Sequence, residues 1–201
     1  MIDIRSNLVF RHIRIKAKIR KIVSYKSDDC ELRMYHRKIY DFLSEAFINS
    51  IFAKAYSKHQ SIFNNAKAHM YNDDFLMTDI SSFFPSINHR TLTNRLFCEL
   101  NKIDKNVIKY SECANIVRDC SIGTKGLPLG FVTSPILSNI YLKEFDGILY
   151  GKLKEMNLKN VIYTRYADDI CISFKHESNC KQIYKSILIH INTILKRYHL
   201  E

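Results

Sequence analysis

Residues Tyr163 to Phe174 read YTRYADDICISF. Two adjacent carboxylates, Asp168 and Asp169, interrupt two runs whose side chains favour burial. Strand-formers lie on both sides, so VIYTRY and ICISF read as strands joined at Ala167-Asp168-Asp169. The hairpin projects both acids to one point. Aspartate also favours turns because its carboxylate bonds local backbone, so the pair alone does not define chemistry.

A second acid ends another apolar run. FLMTDI, residues 75 to 80, reads as a short buried strand finishing near Asp79. Carboxylates converging from separate strands repel unless a cation neutralises them. Hard oxygen ligands suit magnesium, which retains waters and shares substrate phosphates. A pair of such ions activates an attacking hydroxyl and stabilises a leaving pyrophosphate, which is nucleotidyl transfer.

Composition is compatible with that chemistry. The 201 residues suffice for a sizeable core, and Lys plus Arg exceed Asp plus Glu by 11. A basic surface suits a polyanion such as nucleic acid. No apolar run reaches membrane-spanning length and the N-terminus lacks a secretory apolar core, so a cytoplasmic protein without a membrane partner is expected. Six cysteines lack any CxxC pair, which argues against zinc and for reduced, buried thiols.

With five glycines and three prolines, no linker divides the chain. Residues 1 to 27 are strongly basic, and alternation in RIKAKIRKIVSY, 14 to 25, suggests a strand with one charged face. Residues 31 to 57 read as one or two helices, and 91 to 119, 133 to 150 and 177 to 199 as further helices. IGTKGLPLG, 122 to 130, reads as a loop. Helices mixed with a few antiparallel strands make the fold class α+β.

Three segments then resemble one family. Tyr166-Ala167-Asp168-Asp169 is similar to the YxDD box of reverse transcriptases. DISSFF, from Asp79 to Phe84, resembles their first catalytic motif. GLPLG, from Gly126 to Gly130, followed by Ser134-Pro135 and Asn139, resembles their GxPQG…SPxLxN segment. Asn65-Ala66-Lys67-Ala68-His69 looks like the NAxxH signature of retron reverse transcriptases. Leu129 departs from the usual Gln, as in some bacterial defence-associated and abortive-infection enzymes. The resemblance is to the bacterial retron-type or defence-associated branch.

The resemblance implies right-hand polymerase architecture: fingers over 1-73, and a palm over 74-201 with a finger insertion near 91-132. It implies an antiparallel palm sheet carrying the YADD hairpin, with the chain stopping before a thumb. Asp79 and Asp168 become principal ligands of two Mg2+ ions (Mn2+ a substitute), Ile80 adds a backbone carbonyl, and Asp169 is a supporting partner. Phe84 falls at the sugar gate that selects deoxynucleotides; its alternative is a core aromatic. Gly126, Pro128, Leu129 and Gly130 face the incoming nucleotide. Arg20 and Lys21 contact the triphosphate or form a solvated basic face, with Arg33 behind them. Asn65, His69 and Tyr166 are nucleic-acid contacts, against a buried, hydrogen-bonded Asn/His pair. Arg165 is either a surface charge or a primer contact.

The implied activity is RNA-directed DNA synthesis from dNTPs and an RNA template, with a dedicated non-coding RNA as the candidate template. A DNA product or primer and an anti-phage effector protein, or a chain supplying the thumb, are the implied partners. Two other classes stand beside it: a non-catalytic nucleic-acid-binding palm, and an RNA-directed RNA polymerase.

Overall fold

Leu8–Ile15 (β1) and Lys18–Tyr25 (β2) form an antiparallel hairpin in which Leu8 faces Tyr25. The computed structural model describes residues 5–15, 18–102, 104 and 107–201; the side chains of residues 5, 15 and 18–21 lie outside that description. The chain divides into two compact units, residues 1–48 with 84–141, and residues 49–83 with 142–201.

In the first unit, Leu8 and Val23 from the hairpin pack with Leu32 and Phe131. Helix α1, Glu31–Ala46, buries Leu32, His36, Ile39 and Leu43, a stripe at helical spacing. His36 stands on that stripe because both ring nitrogens find partners: Tyr25 Oη at 2.8 Å and the Asp119 carbonyl at 2.9 Å. Burial holds its pKa below the ordinary imidazole value.

The helical expectation over 91 to 119 resolves into two helices, His89–Leu100 (αA) and Tyr110–Asp119 (αB). Asn101 ends the first by donating its side-chain amide to the carbonyls of Phe97 and Ile108, both at 3.0 Å. Asn88 caps the start of αA by accepting from Thr91 N–H. Residues 47 to 57 are not helical, which shortens the helical expectation for 31 to 57 to α1.

The second unit is built on a three-stranded antiparallel sheet. Its strands are Asp74–Asp79 (β3), Ile162–Tyr166 (β4) and Asp169–Phe174 (β5), in the order β3-β5-β4. Central β5 buries every residue from Ile170 to Phe174, the polar Ser173 included, so both of its faces are covered. Edge strand β3 alternates half-buried and exposed, and Met77 is 74 % exposed. The outer side of β4 is met by residues 52 to 54: Arg165 N–H donates to Phe52 at 2.8 Å, and Lys54 N–H to Arg165 at 2.7 Å.

Helix αC, Ser134–Glu155, contributes Leu142, Phe145, Leu149 and Leu153 to this unit's core. Helix αD, Cys180–Arg197, buries Ile183, Ile187, Ile191, Ile194 and Leu195. A short helix, Ile62–Ala68, is capped by Ser61, whose hydroxyl accepts from Asn64 N–H at 3.2 Å. No helix among the described residues is long and apolar enough to cross a membrane.

Candidate active site

The sheet register assembles the acids. Asp79, the last residue of β3, is the cross-strand partner of Asp169, the first residue of β5. Tyr166, the last residue of β4, also faces Asp169. Asp168 sits in the two-residue turn between them, and Ile80 N–H donates to its carbonyl at 3.1 Å. Asp79 and Asp169 are exposed and Asp168 half-buried. Three carboxylates from separate segments therefore gather at one end of one sheet.

Electrostatics register the crowding. The Asp169 carboxyl is pushed above its usual pKa, first by burial and then by the charges of Asp168 and Asp79. The donors are all hard carboxylate oxygens, the chemistry magnesium prefers. Tyr56 belongs to the same neighbourhood, since burial and then Asp168 and Tyr166 raise its phenol. Nothing in its local sequence announces that position.

The turn is braced from below by groups the sequence did not disclose. Arg165 is 0 % exposed, which overturns both readings of it, surface charge and primer contact. Its Nε and Nη2 donate to Asp146 at 2.8 and 2.9 Å, a bidentate ion pair. Tyr163 Oη donates to the same carboxylate at 2.7 Å. The remaining Arg165 Nη1 donates to the Ala167 carbonyl at 2.9 Å, immediately before Asp168. Ala167 has φ of 59°, a left-handed conformation unfavourable for a residue with a Cβ. The buried guanidinium thus holds the backbone at the hairpin tip. One signal was available: Asp146 lies on the same helical stripe as Leu142, Leu149 and Leu153.

His69 is 3 % exposed, with Nδ1 2.7 Å from Ser173 Oγ and Nε2 2.7 Å from Thr164 Oγ1. Burial, and then the nearby Lys54 charge, lower its pKa. With both nitrogens engaged inside the unit, the buried reading describes His69, although its partners are hydroxyls of β4 and β5 rather than Asn65. Asn65 is half-buried, and its Oδ1 has no hydrogen-bond partner. Asn72 continues the network, donating to Ser173 Oγ at 2.8 Å and to the Asn160 carbonyl at 2.9 Å.

The other expected site residues lie in the first unit. Phe84 is 9 % exposed, and its carbonyl accepts from Leu127 N–H at 2.9 Å. Gly126 has φ of 82°, and a Cβ there would meet the Pro85 carbonyl oxygen at 2.8 Å. Gly130 has φ of 115°, and a Cβ would lie 2.0 Å from the Val23 oxygen. Leu129 accepts through its backbone from Val23 N–H at 2.9 Å, and Pro128 from Ser134 Oγ at 2.7 Å. The loop is thus fixed by main-chain bonds that do not depend on the identity of residue 129. Arg20 and Lys21 face Ile13 and His12 across the β1–β2 register, and their side chains lie outside the described residues. Arg33 pairs with Asp28 and lies 5.9 Å over the Tyr25 ring.

The expectation of uniformly buried thiols needs correction. Cys113, Cys120 and Cys171 are buried, whereas Cys98 is exposed and Cys30 and Cys180 are half-buried.

Carboxylates at the end of β3 and on the YADD turn thus form an acidic cluster at one end of the sheet. The chain belongs to the reverse transcriptase (RNA-dependent DNA polymerase) family, which it matches over residues 10–201. It is 32 % identical over 152 residues to the Escherichia coli retron Ec73 reverse transcriptase, covering 70 % of this chain and 47 % of that protein. The Escherichia coli retron Ec86 reverse transcriptase is 34 % identical over 137 residues, covering 68 % of this chain and 38 % of the relative. The chain therefore spans less than half the length of these curated relatives.

Among solved structures, Candida albicans telomerase in complex with a fragment of telomeric RNA shares a TM-score of 0.56 at 13 % identity, covering 96 % of this chain and 41 % of that one. Apo telomerase from Candida tropicalis gives 0.58 at 11 % identity, with 96 % and 42 % covered. At such identity the likeness is one of fold. The expected α+β reverse-transcriptase fold and the retron-type kinship both stand.

Proposed function

We propose that the chain carries the catalytic acids of an RNA-directed DNA polymerase that copies an RNA template with dNTPs. The observation that carries this reading is the register that sets Asp79 opposite Asp169, with Asp168 in the adjoining turn. Asp79 and Asp168 hold divalent cations, with the Ile80 carbonyl and Asp169 as further oxygen donors. Two Mg2+ ions there would lower the pKa of a primer hydroxyl and neutralise charge on the leaving pyrophosphate. The protein's own part is positioning. Arg165 fixes the Ala167 carbonyl, the turn fixes Asp168, and the Ile80 amide ties the turn to the end of β3.

Phe84 as a sugar gate, the 126–130 loop as a nucleotide contact and the basic β1–β2 hairpin as a phosphate contact complete the reading. So do fingers over 1-73 and a palm over 74-201. Kinship with the retron enzymes favours a dedicated RNA template and, with it, a setting in anti-phage defence.

Primer extension on an RNA template, with separate dNTP and rNTP pools, tests the proposal. Magnesium-dependent dNTP incorporation is expected. Incorporation of rNTPs alone would favour an RNA polymerase. RNA binding without turnover of either pool would favour the non-catalytic palm.

A further inference from the structure

A second constellation lies at the other end of β3, about 17 Å from the acids at the rise of an extended strand. Asp74 begins β3, His176 follows β5, and Cys180 begins αD. The His176 Nδ1 to Asp74 Oδ2 distance is 2.8 Å, Cys180 Sγ to the same oxygen 3.1 Å, and Cys180 Sγ to His176 Nδ1 3.9 Å. Among the described residues, it is the one set of three His, Cys, Asp or Glu side chains whose ligand atoms all lie within 4.8 Å of one another. Neither Asp79, Asp168 nor Asp169 belongs to it.

We propose that Asp74, His176 and Cys180 bind a divalent transition cation of the zinc type, with one coordination position open. The donor set is a carboxylate oxygen, an imidazole nitrogen and a thiolate sulfur. That mixture suits zinc and is foreign to magnesium, which takes oxygen. Ligands at about 2.0–2.3 Å from a tetrahedral ion stand roughly 3.3–3.8 Å apart. The three separations bracket that range, each within about half an ångström of it, and the Cys180 thiol, which also donates to the Glu177 carbonyl at 2.6 Å, gives up that bond when it ligates as a thiolate.

The surroundings orient the ligands. Tyr184 Oη donates to the other Asp74 oxygen at 3.0 Å, leaving Oδ2 for the ion. Such an outer hydrogen bond is the usual companion of a metal-binding carboxylate. His176 N–H donates to Asp73 Oδ2 at 3.3 Å, and Asp73 N–H to the Phe174 carbonyl at 3.3 Å, which anchors the loop to the sheet. His176 is 72 % exposed, so the ion is reached directly from solvent. An ion here ties the first turn of αD to β3. The absence of a CxxC pair concealed the site, because only one ligand is a cysteine and Asp74 lies 106 residues from it.

The test is Zn2+ and Co2+ titration of the purified protein. One Zn2+ per chain is expected, and Co2+ should give a thiolate-to-metal charge-transfer band. Cys180→Ser, which keeps a hydrogen-bonding group beside Asp74, should abolish the band and weaken Zn2+ binding by more than the roughly 10- to 100-fold that loss of a ligand's outer hydrogen-bond partner costs. His176→Ala should weaken it similarly, while Cys98→Ser, at the exposed thiol, should change neither. Circular dichroism establishes that each variant is folded. No charge-transfer band in the wild-type protein, or an unchanged band in Cys180→Ser, would overturn the proposal and leave a hydrogen-bonded cluster.

Discussion

Asp146→Asn isolates the buried ion pair beneath the hairpin. The substitution keeps the side chain's shape and one acceptor oxygen, but removes the negative charge that Arg165 meets through two bonds at 2.8 and 2.9 Å. Both residues are 0 % exposed, so water does not compensate the guanidinium. Stranding a buried charge costs about 3–5 kcal/mol. That is a large share of the roughly 5–15 kcal/mol that stabilises a typical domain. Arg165→Met with Asp146→Leu removes both charges and leaves Tyr163 Oη without its acceptor. Replacing a buried pair by apolar groups is neutral or stabilising by about 1–4 kcal/mol, against about 1–3 kcal/mol for the orphaned hydroxyl. The double variant should therefore return close to wild-type stability. Urea unfolding, followed by circular dichroism, measures all three proteins. An Asp146→Asn loss under about 1 kcal/mol, or a double variant no more stable than the single, would refute the reasoning. The double variant also lacks the bond from Arg165 to the Ala167 carbonyl. Its Ile80 amide, which bonds the Asp168 carbonyl, should exchange faster despite the recovered stability.

Two further predictions concern the first unit. Gly130→Ala should destabilise by about 3 kcal/mol or more, because positive φ is joined to a Cβ 2.0 Å from the Val23 oxygen. Gly123→Ala, with φ of 118° but nothing within 4 Å, should lose about 2 kcal/mol less, and urea midpoints compare them. His36 should make stability fall in mild acid. Its folded pKa is depressed by burial, so the unfolded chain binds the proton more readily. Stability is then level above the ordinary histidine pKa of about 6.5 and declines as pH drops from there to the depressed folded value. Melting temperatures across that window should slope less in His36→Gln; an equal slope would remove His36 as the cause.

The hairpin and its acids were legible because local rules determine them. Strand-formers flank a turn, and a strand's register carries its terminal residue to a definite neighbour. The charged interior was not legible. Arg165 looks like any surface arginine until the strand opposite Asp146 is known, and its aspartate partner is 19 residues away on a helix. His69 acquires its meaning from Ser173 and Thr164, 104 and 95 residues distant. Residues 47 to 57 carry helical spacing, yet residues 52 to 54 are drawn to the outer side of β4, where backbone pairing with Arg165 prevails over local propensity. The Asp74, His176 and Cys180 cluster was hidden for the same reason, since sheet pairing brings its members together.

The central claim is that the acids at the sheet end hold the cations of DNA synthesis. The most direct measurement is the effect of Asp168→Asn on magnesium-dependent dNTP incorporation in the primer-extension assay, with urea stability measured alongside. Metal ligation contributes several kcal/mol to the transition state, so the rate should fall about a thousandfold while stability stays near wild type. Incorporation within a few-fold of wild type at ordinary magnesium would contradict the assignment.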